Sequence, residues 1–474
     1  MKSFSFVVAS LLLSSSLSAT ETISTVADAF SNGKVKGLLR YGAQHRDTNY
    51  HILQDAPSDV SKNKIQSYSA LGGYLGYETA ALLNISLGAT WYTSNPVGNN
   101  ADDRKGLGGL DESNGGQDAY SVLGEAFLKY ETKEHFIKVG RQEISDYRFV
   151  SLSNVRMTPF THEGAIYKNS SIDGLKLNFG YLTGQKDRSG EAFRDMVRSA
   201  RVSMGSKANS NIRGNYNSKD YDSSGNYVGQ DKDMSIASLA YSYGAGTVEV
   251  WNYSVNDFVN TLYLYGDYSL DMEDFKVTFA GQYAKQQSIG KSVAGDVDTW
   301  FYGLKTEANI DDKMLFFLAY NEINYDENSY DGGTIFVRWG SPQMFNSFQI
   351  QDSNLAGTSS IGGGVQFDLG ALGVADSTVV RFRHAYYDMP DELWMRDAAQ
   401  DRSESTFDLR YSFTKESGFG IFTQMEGLSI QLRVAYNDFK TDYNIEEYIK
   451  THGYNAYSVT DDFVDARLYI DYIF

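Results

Sequence analysis

The chain has no cysteine and very little proline. Its 474 residues include 0 Cys and 5 Pro. The absence of Cys excludes disulfides, thiolate nucleophiles and Cys-ligated metal sites. The scarcity of Pro leaves no Pro-rich linker that would divide the chain, although its length alone would suggest several domains. We therefore expect one large folding unit.

Long apolar runs are also missing. Outside the N-terminus, no stretch approaches the roughly 18 apolar residues that a membrane-spanning helix requires. The chain therefore either stays soluble or crosses a membrane as β-strands.

Recognisable catalytic motifs are absent as well. The chain contains six scattered histidines: His45, His51, His135, His162, His384 and His452. They form no HExxH motif and no paired metal-binding spacing. The Gly-rich run at Ile361 to Gly364 lacks the Lys and the helix that follow a phosphate-binding loop, and the acidic loops lack the DxDxDG spacing of a calcium site. The sequence therefore predicts no enzymatic activity, no cofactor and no metal.

Residues 1–19 have the pattern of a secretory signal peptide. Lys2 precedes an apolar run from Phe4 to Leu13, and small residues lead to a cleavage site near Ser18 or Ala19. Removing this segment leaves 41 basic against 60 acidic residues, a net charge of −19. Such a chain is no nucleic-acid binder, because phosphate contacts require the opposite sign. We expect a signal peptide at 1–19, a short segment at 20–33 and one folded unit at 34–474.

The chain is rich in aromatic residues, and its C-terminal residues follow a regular alternation. Aromatics make up 14% of it, with 35 Tyr and 27 Phe, which suits rings that lie at a membrane interface. From Val464 to Phe474 apolar and polar residues alternate over the length of a tilted transmembrane strand. The terminal Phe474 resembles the recognition signal of Gram-negative outer-membrane barrels, which implies the barrel assembly machinery as a partner.

Period-two alternation predicts eighteen strands between Lys34 and Phe474. They lie near 34–46, 65–78, 82–93, 120–131, 134–142, 162–169, 173–184, 234–243, 247–254, 258–270, 274–287, 297–310, 313–325, 358–370, 376–388, 403–414, 425–439 and 460–473. A further run at Thr334 to Gly340 also alternates. We assign it to a loop, because nineteen strands would place the two ends of the barrel sequence on opposite sides of the membrane.

The connections between these strands are short and long in turn. Tight turns are predicted at 79–81, 132–133, 170–172, 244–246, 271–273 and 311–312. Long polar segments are predicted at 47–64, 94–119, 143–161, 185–233, 326–357, 389–402 and 440–459. This alternation is typical of an outer-membrane β-barrel. A soluble β-sandwich or β-solenoid would not produce it, and no fixed repeat length is visible.

Cations in the predicted strands fall on the face opposite the apolar one. We expect them to face the lumen while acids concentrate in the loops. The predicted inward cations are Lys36, Arg40, Lys129, Lys138, Lys176, Lys276, Lys305, Arg381, Arg383, Arg410, Arg433 and Arg467. Two interpretations stay open. Either these side chains form a functional basic track, or charge is merely kept away from lipid, where it costs about 2 to 4 kcal/mol.

Several segments in order resemble the OprD family of outer-membrane porins. The first is Gly140 to Tyr167, which has a Gly-Arg-Gln start, Arg156 near its centre and Pro159 before a return strand. Similar matches follow at 172–188, 297–321, 379–388 and 432–439. The chain departs from the best-known members in the long loop 185–233 and in a shorter segment near 255–257.

The resemblance implies an 18-stranded monomer or loose homotrimer whose third loop narrows the pore. Its functional residues would be a channel-lining basic ladder and a constriction loop carrying Asp146, Arg148, Arg156 and Pro159. The ladder comprises Arg381, Arg383, Arg410, Arg433, Arg467, Lys305 and Lys276. Because Pro159 disfavours an ordinary strand and its surroundings are too polar for lipid, we expect Met157 to Thr161 inside the barrel.

Two functions fit this sequence. The first is an outer-membrane diffusion channel for small hydrophilic solutes, favouring anionic or carboxylate-bearing ones such as carboxylates or amino acids. The alternative is a structural or adhesive barrel whose loops bind an external partner while its lumen is closed. Eighteen strands leave room for an aqueous channel unless the lumen is plugged.

Overall fold

The structure is a computed structural model. It describes residues 23–54, 60–98, 100–113, 115–153, 155–203, 231–293, 295–337, 339–341, 343–390, 400–414, 425–441 and 456–474. The proposed signal peptide lies outside these residues, so its boundary stays a prediction.

Nineteen strands make up most of the described chain. In order they are β1 (Lys34–Gln54), β2 (Val60–Glu78), β3 (Ile85–Pro96), β4 (Tyr120–Glu131), β5 (His135–Gln142), β6 (Thr161–Ile172), β7 (Leu175–Lys186), β8 (Phe193–Arg194), β9 (Met234–Tyr243), β10 (Gly246–Val255), β11 (Val259–Asp271), β12 (Phe275–Ser288), β13 (Asp298–Ile310), β14 (Met314–Ile323), β15 (Ser359–Asp368), β16 (Thr378–Asp388), β17 (Gln400–Ser412), β18 (Leu428–Thr441) and β19 (Ala456–Ile473).

Eighteen of these strands close into an antiparallel barrel. The first and last pair with each other, with Leu38 opposite Ile473, and the Gly37 amide donates to the Phe474 carbonyl at 2.9 Å. The two-residue β8 pairs with β7 and stands outside this circle, since β7 goes on to pair with β9. The predicted 18-stranded barrel is confirmed.

Alternation along each strand gives the wall two different faces. On β14, Leu318 points outward and is 59% exposed, whereas its neighbour Ala319 points inward and is 2% exposed. Phe382 on β16 is outward in the same way, and it packs against the outward Phe407 of β17 with ring centroids 5.0 Å apart. Closure lets the wall satisfy its backbone hydrogen bonds internally, as a lipid environment requires.

The connections divide the barrel into two ends. The turn end carries both Lys34 and Phe474 and has short connections such as 132–134, 173–174 and 244–245. Two residues with positive φ, Asp311 and Asp312, make the tight reversal between β13 and β14. Most connections at the other end, the loop end, are longer, including 97–119, 143–160 and 324–358. The brief 256–258 connection there agrees with the shortened segment seen in the sequence.

The eighteen predicted wall strands all exist, but two of the predicted long segments are partly wrong. Most of 47–64 is strand, because β1 extends to Gln54 and β2 begins at Val60, and 440–459 is strand at both ends, where β18 continues to Thr441 and β19 begins at Ala456. The extensions of β1 and β2 contain many polar residues, among them Asp47, Asn49, Lys62 and Lys64, so apolar alternation could not reveal them. Main-chain pairing continues past the apolar band, with Ile52 still opposite Val60. The Thr334 to Gly340 run forms no strand among its described residues, as predicted.

Helical structure in the described residues is confined to short segments. Helix α1 (Val26–Ser31) lies before β1, and α2 (Met196–Ser203) lies in the connection from β8 to β9. Short 3₁₀ turns occur at Asp102–Arg104 and Tyr330–Gly333. Within the described ranges, no helix has the length and apolar character needed to cross a membrane. Nor do three His, Asp or Glu side chains cluster there as metal ligands would.

Candidate channel constriction

The third loop-end connection, residues 143–160, folds into the lumen. On one side it contacts β19 and β1. The Tyr469 hydroxyl donates to the Val155 carbonyl at 2.9 Å, and Arg40 Nη1 donates to the Arg156 carbonyl at 2.6 Å. Because Tyr469 and Arg40 project inward from adjacent strands, these bonds tie the loop to the wall where the barrel closes.

The same loop also reaches the opposite part of the wall. The Tyr147 hydroxyl donates to the Phe179 carbonyl of β7 at 2.9 Å. Arg148 Nε donates to Glu249 of β10 at 2.9 Å. A segment bonded to β1 and β19 at one side and to β7 and β10 at the other crosses the interior of the barrel.

The part of this loop from Met157 to Thr161 is buried, as expected for a segment inside the barrel. Thr158 Oγ1 lies 3.0 Å from the Tyr120 hydroxyl and accepts from Lys186 Nζ at 3.2 Å. Met157 packs onto Gly42 of β1, where a Cβ atom would collide with the Met sulfur. The absence of a side chain at Gly42 therefore lets the loop pack directly against the wall.

A second infolded segment, residues 324–358 between β14 and β15, was not predicted from the sequence. The sequence predicts 326–357 only as one of the long polar segments. Its Ile335, Phe336 and Trp339 are buried in a large apolar cluster with wall residues of β9 to β14. Trp339 Nε1 donates to the Met196 carbonyl of α2 at 2.8 Å. The alternating run at Thr334 to Gly340 was the available signal, since apolar side chains outside the wall need another place to be buried.

The two infolded segments also contact each other. The Ser341 hydroxyl donates to the Leu152 carbonyl at 2.8 Å. Gly340 lies so close to Ser151 that a Cβ atom would overlap its backbone. Phe149 and Trp339 belong to one apolar cluster. The segments therefore form one packed body inside the barrel, which we call the inner plug (143–160 and 324–358).

The far end of the inner plug is held by acids of the wall. The amides of Gln349, Ile350 and Gln351 donate to the Glu404 carboxylate, with a shortest distance of 2.8 Å. The Gln349 side chain donates to Asp465 Oδ1 at 3.0 Å. Glu404 is fully buried by these contacts. This places the inner plug beside the strands that carry the predicted arginines.

Acids on the wall require a correction of the charge prediction. We expected acids to concentrate in the loops, but several face inward and pair with the predicted cations. Arg433 lies 3.2 Å from Asp408, Arg467 lies 2.7 Å from Asp465, and Arg40 Nη2 lies 2.7 Å from Asp471. These acids lie on the inward face of the strands, as their cationic partners do. Apolar periodicity alone does not show whether an acid lies on that face or in a loop.

Four of the predicted arginines have no acidic partner of this kind among the residues that the structure describes. Within the described parts of the chain, no ion pair is formed by Arg156, Arg381, Arg383 or Arg410. Arg381 Nε donates to the Gln366 amide oxygen at 2.9 Å, and Arg383 Nε to the Thr406 hydroxyl at 3.2 Å. The Arg383 guanidinium also lies over the Phe348 ring of the inner plug, 4.6 Å from its centroid. The hydrogen-bond partners of Arg381 and Arg383 are thus neutral, although the carboxylates of Glu404 and Asp408 lie near Arg383.

Arg156 lies near other guanidinium groups. Its Nη1 donates to the Gln44 amide oxygen at 2.7 Å. Burial, and after it the nearby guanidinium groups of Arg467 and Arg188, lower the pKa of Arg156 to about 10. Mutual repulsion of cations favours anything that brings negative charge among them. Sequence reasoning did not single out Arg188, since it lies in a long loop without a strand pattern.

Three of the other predicted site residues, Lys305, Lys276 and Asp146, lie beside an oppositely charged side chain. Lys305 pairs with Glu307 at 2.8 Å, and Lys276 lies at the turn end, 4.0 Å from Asp271. Asp146 pairs with Lys168 at 2.6 Å, and the buried Pro159 follows Thr158. The other predicted inward cations stand on the first strands of the barrel: Lys36 and Arg40 on β1, Lys129 on β4, Lys138 on β5 and Lys176 on β7.

Among the first strands, lysines also meet an inward acid. Glu125 of β4 lies 2.7 Å from Lys36 and 3.4 Å from Lys138. Lys129 lies 2.6 Å from Glu78. The balanced charges of this wall contrast with Arg381, Arg383 and Arg410 on β16 and β17, which form no ion pair with a residue that the structure describes.

Comparison with known proteins extends these observations. The model of the outer membrane porin OprD family matches residues 97–448. A search of curated protein sequences found no significant match. Among solved structures, Pseudomonas aeruginosa OccK9 (OpdG) is similar with a TM-score of 0.70 and 16% identity, covering 94% of this chain and 99% of that one.

Two further structures have the same architecture. Pseudomonas aeruginosa OpdK, solved with vanillate, has a TM-score of 0.68 and 16% identity, over 94% of this chain and 99% of its own. OpdO of the same organism has a TM-score of 0.67 and 17% identity, over 94% and 98%. Together with the family match, the closed barrel and its infolded third loop, this shows that the chain belongs to the OprD family of outer membrane porins.

Proposed function

We propose that this outer-membrane porin favours small anionic or carboxylate-bearing solutes, among them carboxylates and amino acids. The observation that carries the proposal is that Arg156 of the inner plug and Arg381, Arg383 and Arg410 of the wall form no ion pair with a described residue, and that Arg383 lies over Phe348 of the inner plug. Guanidinium groups stay charged and bind a carboxylate through two parallel hydrogen bonds.

The position of these charges matters more than the net charge of the protein. The chain carries −18 overall, yet loop carboxylates more than about 8 to 10 Å from a permeating ion are largely screened at physiological salt. At about 4 Å, one charge contributes about 1 kcal/mol in bulk water and about 4 kcal/mol at an effective dielectric constant of 20. Arginines at the constriction therefore outweigh distant acids.

Within this proposal, the predicted ladder divides into three groups. Arg381, Arg383 and Arg410 attract the solute directly, together with Arg156 of the loop. Arg433 and Arg467 contribute less, because Asp408 and Asp465 offset their charges. Lys305 and Lys276 lie beside acids and supply the weakest part of the ladder.

The test is the reversal potential of single channels in a salt gradient. We expect anion preference in the parent protein and a shift toward cations in the triple variant Arg381→Gln, Arg383→Gln and Arg410→Gln. Lys276→Gln is the matched control, since it removes an inward cation that already has an acidic neighbour. A parent channel that strongly prefers cations, and that the triple variant leaves unchanged, would contradict the proposal.

Carboxylate solutes offer a second measurement. OpdK was solved with vanillate, an aromatic carboxylate, which makes vanillate and benzoate suitable probes. Liposome swelling should be faster with these anions than with neutral alcohols of the same size, and Arg156→Gln should reduce the difference. Equal rates for charged and neutral probes would show that size alone governs passage.

We also propose that residues 1–19 are removed on export and that the barrel assembly machinery recognises the C-terminal strand. The Phe474 amide donates to the Gly37 carbonyl at 3.1 Å, so the recognised residue also completes the barrel. Phe474→Ala should lower the amount of folded protein in the outer membrane. We expect the mature chain to work as a monomer or a loose homotrimer, which chemical cross-linking in membranes tests.

A further inference from the structure

Helix α1 is docked at the turn end of the barrel, on its outward side. The Tyr77 hydroxyl of β2 donates to the Phe30 carbonyl, and the Ala80 amide donates to the Ala29 carbonyl at 2.9 Å. Gly33 lies against the Tyr77 ring, where a Cβ atom would collide with it. Tyr77 shares the outward face of β2 with Leu75, which is 58% exposed. The helix therefore contacts the face that the barrel presents to lipid.

One face of α1 is apolar and uncovered. Val26 and Phe30 are one helical turn apart and are 64% and 52% exposed, whereas Ala29 is 5% exposed against the barrel. Asp28 stands about 160° around the helix axis from Val26 and from Phe30. Its carboxylate accepts from the Thr25 amide at 2.9 Å in a capping box. The helix thus has a charged side opposite the apolar one.

The apolar face continues the lipid-contacting surface of the barrel. Val35, on the outward face of β1 just after the helix, is 60% exposed, and Leu39 on the same face is 50% exposed. Tyr77, which holds the helix, is an aromatic residue at the end of an outward face, where rings with a polar tip favour the membrane interface. A periplasmic protein that covered the apolar face of α1 would also have to cover adjoining barrel surface that lies in lipid. Lipid is therefore the better occupant of this face.

We propose that α1 is an interfacial anchor inserted into the inner leaflet of the outer membrane. Val26 and Phe30 lie among the acyl chains near the headgroups, and Asp28 and Ser31 face the periplasm. Helices of this kind bury their apolar side about 5 to 10 Å into the headgroup boundary. The proposal depends on the location of the barrel in the membrane and is independent of its solute preference.

The absence of cysteine permits a direct test by spin labelling. In a chain with 0 Cys, a nitroxide on one introduced thiol reports a single position. The variants are Phe30→Cys and Val26→Cys on the apolar face, Ser31→Cys on the other side of α1 and Val35→Cys as a lipid-exposed reference. Power-saturation spectra in reconstituted bilayers compare contact with oxygen, which concentrates in lipid, and with a water-soluble nickel chelate.

We expect labels at positions 30 and 26 to contact oxygen more than the nickel chelate, as at position 35, and the label at 31 to show the reverse. Heat-dependent gel mobility confirms that each variant is folded. Nickel contact at 30 and 26 equal to that at 31 would overturn the proposal, because the face would point into water. Protection from both reagents at 30 and 26 would also overturn it and would indicate a protein contact.

Discussion

At the scale of single residues, the partner of each arginine decides how much charge it offers. Arg433 is held by Asp408, whose carboxylate also accepts from Gln431 Nε2 at 2.8 Å. We predict that Asp408→Asn increases anion preference, since it releases the charge of Arg433 while keeping a hydrogen-bonding side chain. The measurement is the reversal potential in a salt gradient.

The matched control for this prediction is Asp271→Asn at the turn end. Asp271 also neighbours an inward cation, Lys276, but at 4.0 Å and with its side chain 78% exposed. Solvent screens such a pair, so its contribution is small. An equal shift in both variants would show that acids act through net charge and not through their position.

Glu143 gives a prediction about stability and pH. Burial, and after it the Glu125 carboxylate, raise the pKa of Glu143 above its usual range. The charged form is therefore disfavoured in the folded state. This loss of stability is present above the raised pKa and disappears as the pH falls below the unfolded value. We predict that Glu143→Gln unfolds at a higher temperature than the parent at neutral pH and that this difference shrinks in acid.

The measurement is the temperature at which the folded gel band is replaced by the unfolded one. The amide oxygen of Gln can still accept from the Tyr92 hydroxyl, which donates to Glu143 Oε1 at 2.6 Å. Glu131→Gln, on an exposed side chain at the end of β4, is the control and should leave the transition unchanged at either pH. A lower unfolding temperature for Glu143→Gln at neutral pH would show that the carboxylate stabilises the fold.

At the scale of elements, the loop 143–160 should set the width of the pore. We predict that deleting residues 146–158 increases single-channel conductance, because this segment spans the lumen from Tyr469 to Phe179. A milder variant, Tyr469→Phe, removes one bond to the loop and should raise current noise without a large change in mean conductance. Unchanged conductance in a folded deletion variant would place the pore elsewhere.

The two infolded segments differ in how far the sequence revealed them. Met157 to Thr161 was predicted inside because Pro159 and the surrounding polar residues fit neither a strand nor lipid, and the family resemblance implied that the third loop as a whole narrows the pore. Residues 324–358 were missed as an infolded segment. Their apolar run resembles a strand, and its burial depends on Phe258, Met196 and other residues far away in the chain. A local sequence pattern gives no information about tertiary contacts of this kind.

At the scale of the whole molecule, closure of the barrel gives the most general prediction. The pairing of β1 with β19 leaves no free edge at which the wall could begin to separate. We predict that unboiled and boiled samples migrate differently on a denaturing gel and that circular dichroism shows mainly β structure. Identical migration of the two samples would contradict a closed barrel.

The architecture could be predicted because a period of two, repeated between turns, specifies a wall with two faces. The pairing of inward charges could not, since whether Arg467 meets Asp465 or a solute depends on side-chain geometry within one strand. Parity predicts that Arg381 and Arg410 lie on the face opposite the outward apolar residues. It gave no information about which inward cations have a carboxylate beside them.

The apolar cluster inside the lumen resembles the hydrophobic core of a water-soluble protein. Phe336, Trp339 and their neighbours are removed from water by one another, whereas the wall is stabilised by its hydrogen-bonded closure within lipid. Urea weakens apolar burial and solvates peptide groups, but the bilayer shields the wall from it. The two parts should therefore melt separately: rising urea would first loosen the interior and widen the current path, while the surrounding cylinder stays intact.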